Sequence, residues 1–454
     1  MRVLFIYPEI HPAYPLQIGL LSAYIKRNGH EAKLLDFDSK SSVKPSKDIQ
    51  KKIKEEIVAF KPDLIAFSCY EMSFTITKNI CHFIKKRWPK LPTIVGGYYP
   101  TTAPDEVIKT NDIDIICLGE GERPLTELLS SMAIGKKNRK INNLWFKVGK
   151  KVFKNEVGPL IEELDTLPFP DREMLDYQAH LNLEKVGSRD VKVMAARGCP
   201  YQCTYCSNTA LRAIYPNKNK YLRYRSPQNV INELKELKSK YEFELVGFHD
   251  DNLTIDHEWL KEFCRLYKKE INLPFYCAAR VETCSDDILR ALKKAGCYML
   301  LFGVESGDEN YRRKIMKRYM TDELIINTFT KVRKLGMRTW SFTMVGLPFE
   351  NWKMILRTFW LNWRCRPDMI MASIYYPIKG TELGDVCYKN GWVDTSKKEG
   401  ISSLAKETCL RHPNFSPIEI KFAKYLNLLP AARSPYFWDA VRNRVWSTVI
   451  PISR

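Results

Sequence analysis

The stretch Val191-Lys-Val-Met-Ala-Ala-Arg-Gly-Cys-Pro-Tyr-Gln-Cys-Thr-Tyr-Cys206 decides the fold of this 454-residue chain. An apolar run, typical of a buried strand, leads directly into a loop with Cys199, Cys203 and Cys206 at C-x3-C-x2-C spacing. Three thiolates on one tight loop can hold three corners of a cubane iron–sulfur cluster, because soft sulfur ligands suit this chemistry. The fourth iron would then lack a protein ligand and stay open to a substrate.

The alternative interpretation is three buried or zinc-bound cysteines. A structural zinc site normally completes its coordination with a fourth residue. The sequence offers no C-x2-C or H-x3-H partner for this loop. The spacing therefore favours the cluster.

Composition limits the class of protein. A hydrophobic content of 45% with 12% aromatic residues supplies a core and excludes global disorder. A chain of this length is expected to form about two or three domains. The 13 cysteines indicate a reducing compartment rather than a disulfide framework. The N-terminal apolar run is too short for a signal peptide, and no run reaches the ~18 apolar residues of a membrane span, so we expect a cytoplasmic protein.

The net charge of +20 could indicate nucleic acid, a membrane surface or an anionic substrate. The lysines are spread over many predicted helices, as in Lys51–Glu56 and Glu233–Lys240, which is typical of solvated helix faces. No nucleic-acid-binding motif accompanies the charge, so we do not expect a nucleic-acid partner.

The first 130 residues alternate strand and helix patterns, which predicts a doubly wound parallel sheet with ligands at the carboxyl ends of its strands. Two glycine loops, Gly96-Gly97 and Gly119-Glu-Gly-Glu122, follow predicted strands and would let backbone approach a bulky ligand. The predicted strands are Val3–Tyr7, Ala32–Leu35, Leu64–Ser68, Thr93–Val95 and Ile113–Leu118. The predicted helices are Leu16–Asn28, Lys47–Phe60, Phe74–Arg87 and Pro124–Met132.

Residues 136–190 are predicted to be a connector with a short hairpin, Leu144–Phe153, and a proline-rich extended course. From residue 191 the alternation resumes with six predicted strands, which indicates an incomplete parallel barrel whose site lies at its carboxyl-terminal mouth. These strands are Val191–Ala196, Leu245–His249, Phe275–Ala279, Tyr298–Val304, Thr339–Val345 and Ile370–Tyr376. Polar or glycine-rich groups follow them in turn: the cysteine loop, Asp250-Asp251, Arg280, Gly303–Gly307, Gly346–Glu350 and Pro377–Thr381.

Residues 382–454 end in the aromatic-rich run Tyr436–Trp446. Its apolar residues predict a helix that caps the barrel. The alternative is an interfacial helix that makes peripheral membrane contact, with Trp438, Trp446 and the arginines at a lipid surface.

Taken together, residues 1–380 resemble the radical S-adenosylmethionine enzymes that carry a cobalamin-binding domain. The resemblance rests on the cysteine loop, Phe248–Asn252, Phe302–Gly307, Gly346-Leu-Pro, Lys379-Gly-Thr and the two N-terminal glycine loops. It implies an α/β protein with a Rossmann-like cobalamin-binding domain over residues 1–135 and the connector over 136–190. A partial (β/α)6 TIM-type barrel over 191–381 and a mostly helical extension over 382–454 would follow.

The resemblance also implies the cofactors and their sites. Cys199, Cys203 and Cys206 would hold a [4Fe–4S] cluster, and Tyr205 would pack on the adenine of S-adenosylmethionine. The remaining S-adenosylmethionine contacts would come from Asp250 and Asp251 at the amino group, Glu305 and Ser306 at the ribose, and Arg280. Cobalamin would lie against Tyr70, Glu71, Gly96, Gly97, Gly119 and Gly121.

The chain departs from other cobalamin-binding proteins because it lacks the D-x-H-x-x-G motif, whose histidine ligates cobalt. His11 lies between two prolines at the wrong spacing. We therefore expect no histidine ligand from the protein, with the loop Cys69–Met72 beneath the corrin.

The activity implied is reductive cleavage of S-adenosylmethionine to a 5′-deoxyadenosyl radical, followed by methylation of an unactivated carbon through methylcobalamin. An alternative within the family is oxidation, cyclisation or rearrangement without net methyl transfer. Methylthio transfer, with Cys69, Cys81 and Cys117 on a second cluster, is disfavoured because these cysteines lack the expected motif surroundings. A non-catalytic electron carrier would leave Glu305 and the open iron unexplained.

The implied partners are a small-molecule substrate and an electron donor such as flavodoxin or ferredoxin. The aromatic C-terminal run favours a hydrophobic substrate.

Overall fold

The structure is a computed structural model that describes residues 1–9, 14–38, 44–183, 189–398 and 407–442. It contains two main sheets, each covered by helices, as the alternating pattern predicts. No helix within these described ranges is long and apolar enough to span a bilayer.

The first sheet has seven strands in the order β2-β1-β3-β4-β5-β6-β7. Its strands are β1 (Arg2–Glu9), β2 (Glu31–Asp38), β3 (Leu64–Ser68), β4 (Thr93–Gly96), β5 (Ile115–Cys117), β6 (Leu144–Val148) and β7 (Lys151–Phe153). The helices are α1 (Leu16–Arg27), α2 (Lys47–Phe60), α3 (Phe74–Arg87), α4 (Tyr98–Thr102), α5 (Pro104–Ile108) and α6 (Glu122–Ala133). β1 to β5 are parallel, and every residue of the apolar strand β3 is buried because helices cover both faces.

The hairpin β6–β7 corrects one expectation. The sequence places it in a connector, whereas the structure pairs β6 with β5 and β7 with β6, both antiparallel. Leu144 and Phe146 are buried in the same core cluster as Ile115, and this burial draws the hairpin onto the sheet edge. The first sheet therefore extends beyond residue 135, to Phe153.

The second sheet has six parallel strands in the order β15-β14-β13-β12-β11-β8. They are β8 (Asp190–Val193), β11 (Leu245–Phe248), β12 (Phe275–Ala279), β13 (Cys297–Glu305), β14 (Arg338–Val345) and β15 (Met369–Ile374). A small antiparallel pair, β9 (Ala196–Arg197) and β10 (Arg223–Tyr224), flanks the cysteine loop. This is the partial barrel that the sequence predicts, with each strand within a few residues of its predicted bounds.

Most helices of this half connect successive strands and form the outer layer, whereas the first precedes β8 and the second follows the cysteine loop. They are α7 (Tyr177–Leu183), α8 (Ser207–Ala213), α9 (Pro227–Lys240), α10 (His257–Glu270), α11 (Asp286–Ala295), α12 (Glu309–Lys314), α13 (Asp322–Lys334) and α14 (Trp352–Cys365). Most of the long helices are capped at their N-termini by a side-chain oxygen. Ser226 accepts from the Asn229 amide at 3.2 Å, and Asp256 accepts from the Trp259 amide at 3.0 Å.

The C-terminal region is helical, with α15 (Glu382–Lys389), α16 (Thr395–Lys398), α17 (Pro417–Leu426), a 3₁₀ turn (Leu429–Arg433) and α18 (Pro435–Arg442). α17 buries Ile420 against Val345 and Ile374, and the 3₁₀ turn packs near Ile370. These elements cover the last two strands, β14 and β15. Trp438 lies on α18 and is exposed, and Trp446 lies outside the described residues.

Candidate functional site

A cavity of about 740 Å³ lies where the two sheets meet, a volume within the range of ordinary ligand sites. One wall comes from the carboxyl ends of the first sheet, and the opposite wall from the segments on either side of the cysteine loop. All six residues predicted to contact cobalamin line it: Tyr70, Glu71, Gly96, Gly97, Gly119 and Gly121. Met72 of the same predicted loop also lines it.

Two of these glycines permit close packing of the cavity wall. Gly97 has a left-handed φ of 95°, and a Cβ there would lie 2.8 Å from the Cys69 amide nitrogen. A Cβ at Gly119, which has a φ of 69°, would collide with the Tyr215 hydroxyl. The glycines thus bring protein segments together around the cavity, which adds to the predicted role of admitting a ligand.

The first-sheet wall of the cavity contains an aromatic pair. Tyr70 stacks on Tyr98 with ring centroids 6.3 Å apart, and burial raises the pKa of the Tyr98 phenol. The buried Tyr98 hydroxyl has no hydrogen-bond partner in the described part of the chain, so it can bond a ligand. No described lining residue is a histidine, and His11 lies outside the described residues. The apolar wall and the flat aromatic pair fit one face of a corrin.

The cysteine loop joins β9 to α8. Cys203 is buried, and Cys199 and Cys206 are partly buried. Burial, helped by the neighbouring cysteines, raises the pKa of Cys199 to about 12 and that of Cys206 to about 11. Among the described residues, no three His, Cys, Asp or Glu side chains converge on one point, as a single metal ion requires. The thiols of Cys199, Cys203 and Cys206 are close enough to interact electrostatically, and a cubane would take one thiolate on each of three irons.

Two buried arginines approach Cys203. Arg280 Nη1 lies 3.5 Å from its Sγ and Arg318 Nη1 lies 3.6 Å away. The Arg280 guanidinium also stacks 3.7 Å from the centroid of Tyr201. Cationic donors of this kind favour the thiolate and stabilise negative charge on a cluster.

Glu305 ends β13 beside these arginines. Burial raises the pKa of its carboxyl group, and Arg318 opposes that effect. Its φ of 66° is left-handed, which is costly for a residue other than glycine and typical of functional sites. A Cβ at Gly303 would lie 2.5 Å from Glu305 Oε1, so the glycine makes room for the carboxylate.

Tyr205 belongs to the same network. Arg318 donates to its hydroxyl at 3.2 Å, and this hydroxyl also hydrogen-bonds Glu305. The structure therefore brings together Tyr205, Arg280, Glu305 and the cysteine loop, four of the predicted features.

The Asp250-Asp251 pair divides in the structure. The Asp250 carboxylate accepts from the amides of Ala195 and Ala196, and burial raises its pKa to about 7. Asp250 therefore supports the backbone that leads into the cysteine loop. Its contact with the methionine amino group stays a prediction. Asp251 lines the cavity with an exposed side chain, where surrounding protein raises its pKa and a hydrogen bond to Asn208 partly offsets that effect.

Ser306 follows Glu305, and its contact with the ribose stays a prediction. Its hydroxyl is fully buried and accepts from the Asp308 amide at 3.3 Å. Like Tyr205, Arg280 and Glu305, it does not line the cavity.

An ion-pair network joins the two halves of the cavity. Arg197, two residues before Cys199, contacts Glu120 at 2.8 Å and Glu122 at 2.5 Å. Arg223 contacts Glu120 at 2.9 Å, and these four side chains are buried or nearly so. The carboxylates of the Gly119–Glu122 loop are thus held by the barrel domain.

The cysteines considered for a second cluster are dispersed. Cys69 and Cys81 lie in the core on one face of the first sheet, and Cys117 lies in the core on the other. Burial raises the pKa of Cys69 and Cys117 to about 12. This arrangement does not provide a second ligand set.

Sequence reasoning did not identify Arg318, Tyr98 or Arg197. Arg318 stands in a basic run, Lys314–Tyr319, that is indistinguishable from a solvated helix end. Arg197 offered one signal, since it directly precedes the cysteine loop, whereas its partners are 75 to 77 residues away.

Two family models match the chain. The radical SAM superfamily model matches residues 193–359, and the B12-binding domain model matches residues 11–129. These ranges contain the cysteine loop and most of the first sheet.

Similar proteins extend over most of the chain. An uncharacterized methyltransferase of Pyrococcus horikoshii is 24% identical over 91% of this chain and 88% of its own length. The anaerobic magnesium-protoporphyrin IX monomethyl ester cyclase of Rubrivivax gelatinosus is 24% identical over 84% of this chain and 69% of its own.

A solved structure has the same fold. The radical S-adenosylmethionine methyltransferase TsrM of Kitasatospora setae, with cobalamin and a [4Fe–4S] cluster bound, superposes with a TM-score of 0.70. It is 16% identical, and the match covers 87% of this chain and 76% of that one.

Proposed function

Because the chain belongs to the radical S-adenosylmethionine enzymes that carry a cobalamin-binding domain, we propose that it methylates an unactivated carbon of a small molecule. Its cofactors are a [4Fe–4S] cluster, S-adenosylmethionine and cobalamin. One observation carries the proposal: a single cavity has the predicted cobalamin loops on one wall and the borders of the cysteine loop on the other. A carbon held between those walls can meet both cofactors.

When bound, the cofactors supply the radical and the methyl group. The chain's own residues bind, orient and exclude water. Cys199, Cys203 and Cys206 would hold the cluster, with Arg280 and Arg318 donating to Cys203.

We assign the nucleoside to the neighbouring network. A carboxylate that accepts from a ribose hydroxyl forms a charge-assisted hydrogen bond, and Glu305 is a partly buried carboxylate beside the cluster loop. Tyr205 would then pack on the adenine.

We assign cobalamin to the first-sheet wall. Tyr70 and Tyr98 would lie against the corrin. From the missing D-x-H-x-x-G motif, we keep the expectation that the protein supplies no histidine ligand to cobalt. When bound, cobalamin would supply the methyl group, and these aromatic residues would hold it against the first-sheet wall.

Methylation is preferred because the Pyrococcus horikoshii relative, a methyltransferase by name, matches the chain at nearly full length. The cyclase of Rubrivivax gelatinosus supports a second candidate, radical oxidation or ring closure without methyl transfer. The products distinguish the two candidates. Only methylation converts one molecule of S-adenosylmethionine to 5′-deoxyadenosine and a second one to S-adenosylhomocysteine.

The experiment is anaerobic reconstitution of the full chain, followed by incubation with trideuteromethyl S-adenosylmethionine and a small-molecule extract. Methylation predicts 5′-deoxyadenosine, S-adenosylhomocysteine and a product carrying one trideuteromethyl group. Formation of 5′-deoxyadenosine and an altered product without S-adenosylhomocysteine or deuterium would establish the second candidate instead.

We also propose a small-molecule substrate and a flavodoxin or ferredoxin as electron donor. A small substrate agrees with TsrM, which was solved with tryptophan bound. A flavodoxin or ferredoxin in the cytoplasm would supply the electron that reductive cleavage needs.

A further inference from the structure

Two neighbouring helices on the outer surface of the barrel expose apolar stripes. α14 exposes Leu356, Trp360 and Trp363 at i, i+4 and i+7. The stripe on α17 and the following turn continues this spacing through Ile418, Phe422, Tyr425 and Leu429. Ile418 is 81% exposed and Phe422 is 60% exposed, so the described part of the chain does not cover this surface.

The two stripes form one surface. Trp352 on α14 contacts Phe422 on α17, with ring centroids 6.0 Å apart. Arg433 stacks 4.4 Å from the centroid of Trp363 and donates to its carbonyl oxygen at 3.1 Å. We call this surface the aromatic face, formed by Leu356, Trp360, Trp363, Ile418, Phe422 and Leu429.

The opposite sides of both helices are already used. Ile355 of α14 and Ile420 of α17 are buried in one core cluster with Val345. The exposed stripes are therefore not a second core-facing side, and contiguous exposed apolar surfaces of this kind mark interaction sites.

The rim of the aromatic face is basic. α14 carries Lys353 and Arg364 and contains no acidic residue, and its third cation, Arg357, is paired with Asp308. Lys421 is exposed on α17, whose one acidic residue, Glu419, bonds the Ser416 amide at 2.8 Å as part of the helix cap. A positively charged surface repels a second copy of itself and attracts a negatively charged partner surface.

We propose that the aromatic face docks the protein on an anionic lipid bilayer, with α14 and α17 lying in the plane of the interface. Trp, Phe, Leu and Ile side chains would enter the boundary between head groups and acyl chains, and the lysines and arginines would contact acidic head groups. This inference is independent of the reaction catalysed.

The test is co-sedimentation of the full reconstituted chain with vesicles of phosphatidylcholine alone or with added phosphatidylglycerol. We expect binding to the mixed vesicles that weakens with added salt, and little binding to phosphatidylcholine. Ile418→Ser with Phe422→Ser should weaken partitioning by about tenfold or more, since two inserted side chains are lost. The double variant Arg364→Glu/Lys421→Glu should bind the mixed vesicles more weakly. Its binding to vesicles of phosphatidylcholine alone should not change.

Ile134→Ser is the matched control, because Ile134 is 76% exposed on the first domain, away from the aromatic face. It should leave vesicle binding unchanged, and cleavage of S-adenosylmethionine should persist in every variant as a check on folding. Equal binding by wild type and the Ile418/Phe422 variant would overturn the proposal. So would an absence of vesicle binding together with a dimer that this variant converts to monomer, because the face would then serve self-association.

Discussion

Cys203 differs from the other two cysteines of its loop because two cations point at its sulfur. Arg280 and Arg318 donate to Sγ from 3.5 and 3.6 Å. Hydrogen bonds and positive charge at a cluster sulfur stabilise the reduced, more negative state. The arginines should therefore raise the cluster's reduction potential.

Arg318→Met tests this directly. We expect a more negative midpoint potential, by about 60 mV for each 1.4 kcal/mol of charge stabilisation lost in a one-electron couple. A redox titration followed by electron paramagnetic resonance measures it. Arg333→Met is the control, since Arg333 donates to the Cys365 carbonyl, remote from the loop. An unchanged midpoint potential in Arg318→Met would show that Arg318 does not interact with the cluster.

Glu305 is the second test at this scale. Glu305→Gln keeps the volume and some hydrogen bonding but removes the charge that would strengthen a bond to the ribose. We expect S-adenosylmethionine to bind more weakly by about 1–3 kcal/mol, with the cluster content unchanged. Calorimetry measures the affinity for S-adenosylmethionine, and iron analysis measures the cluster content. Unchanged affinity with a lower melting temperature would mean that Glu305 serves only as the ion partner of Arg318.

At the scale of the element, the turn Gly346-Leu-Pro-Phe-Glu350 after β14 closes on its own carboxyl group. Glu350 Oε2 accepts from the amides of Gly346 and Leu347 at 2.7 and 3.2 Å. Burial raises the pKa of Glu350 to about 8 despite these bonds. The carboxyl group thus helps to hold the turn while its protonated form is favoured.

The pH dependence follows from the sign of that shift. A carboxyl pKa raised on folding contributes stability that is fully present below the unfolded value of 4.5 and is lost as pH rises through about 8. Glu350→Gln should flatten this part of the stability profile, which has a slope of up to about 1.4 kcal/mol per pH unit. Melting temperatures of both proteins from pH 5 to 9 test it. Parallel profiles would show that Glu350 does not titrate in this window.

Local signals explain what could be predicted from sequence. The three cysteines lie within eight residues of one another, so their spacing alone indicated a common loop. The apolar strands were predictable because both sheets are parallel and buried on two faces. The hairpin β6–β7 was misplaced because its pairing with β5 depends on burial across 29 residues of chain, as in Ile116 opposite Trp145.

The remaining site residues required the structure. The adjacent Asp250 and Asp251 are equivalent in sequence, and only the geometry shows that the first bonds backbone amides while the second lines the cavity. Arg318 reaches Cys203 from 115 residues away, and no short-range pattern distinguishes it from a surface cation.

At the scale of the whole molecule, the network of Arg197 with Glu120 and Glu122 fixes the barrel to the first sheet. Arg197→Met leaves buried carboxylates with fewer partners, and the loss of one member of a buried pair costs about 3–5 kcal/mol. We expect lower stability and faster loss of cobalamin, measured by denaturation and by dialysis of the loaded protein.

The control for this prediction is Lys220→Met. Its ion pair with Glu162 also joins distant segments, but both side chains are about half exposed, at 52% and 50%. Such a pair contributes about 0–1 kcal/mol. Equal effects of the two substitutions would indicate that Arg197 does not couple the domains.

The central claim is that the cysteine loop carries the cluster that cleaves S-adenosylmethionine beside a separately held cobalamin. The most direct measurement is 5′-deoxyadenosine formation, under anaerobic reduction, by the variant Cys199→Ala/Cys203→Ala/Cys206→Ala after reconstitution. We predict that this variant retains the visible spectrum of bound cobalamin, loses the broad iron–sulfur absorbance and forms no 5′-deoxyadenosine. Continued formation of 5′-deoxyadenosine by the triple variant would contradict the account.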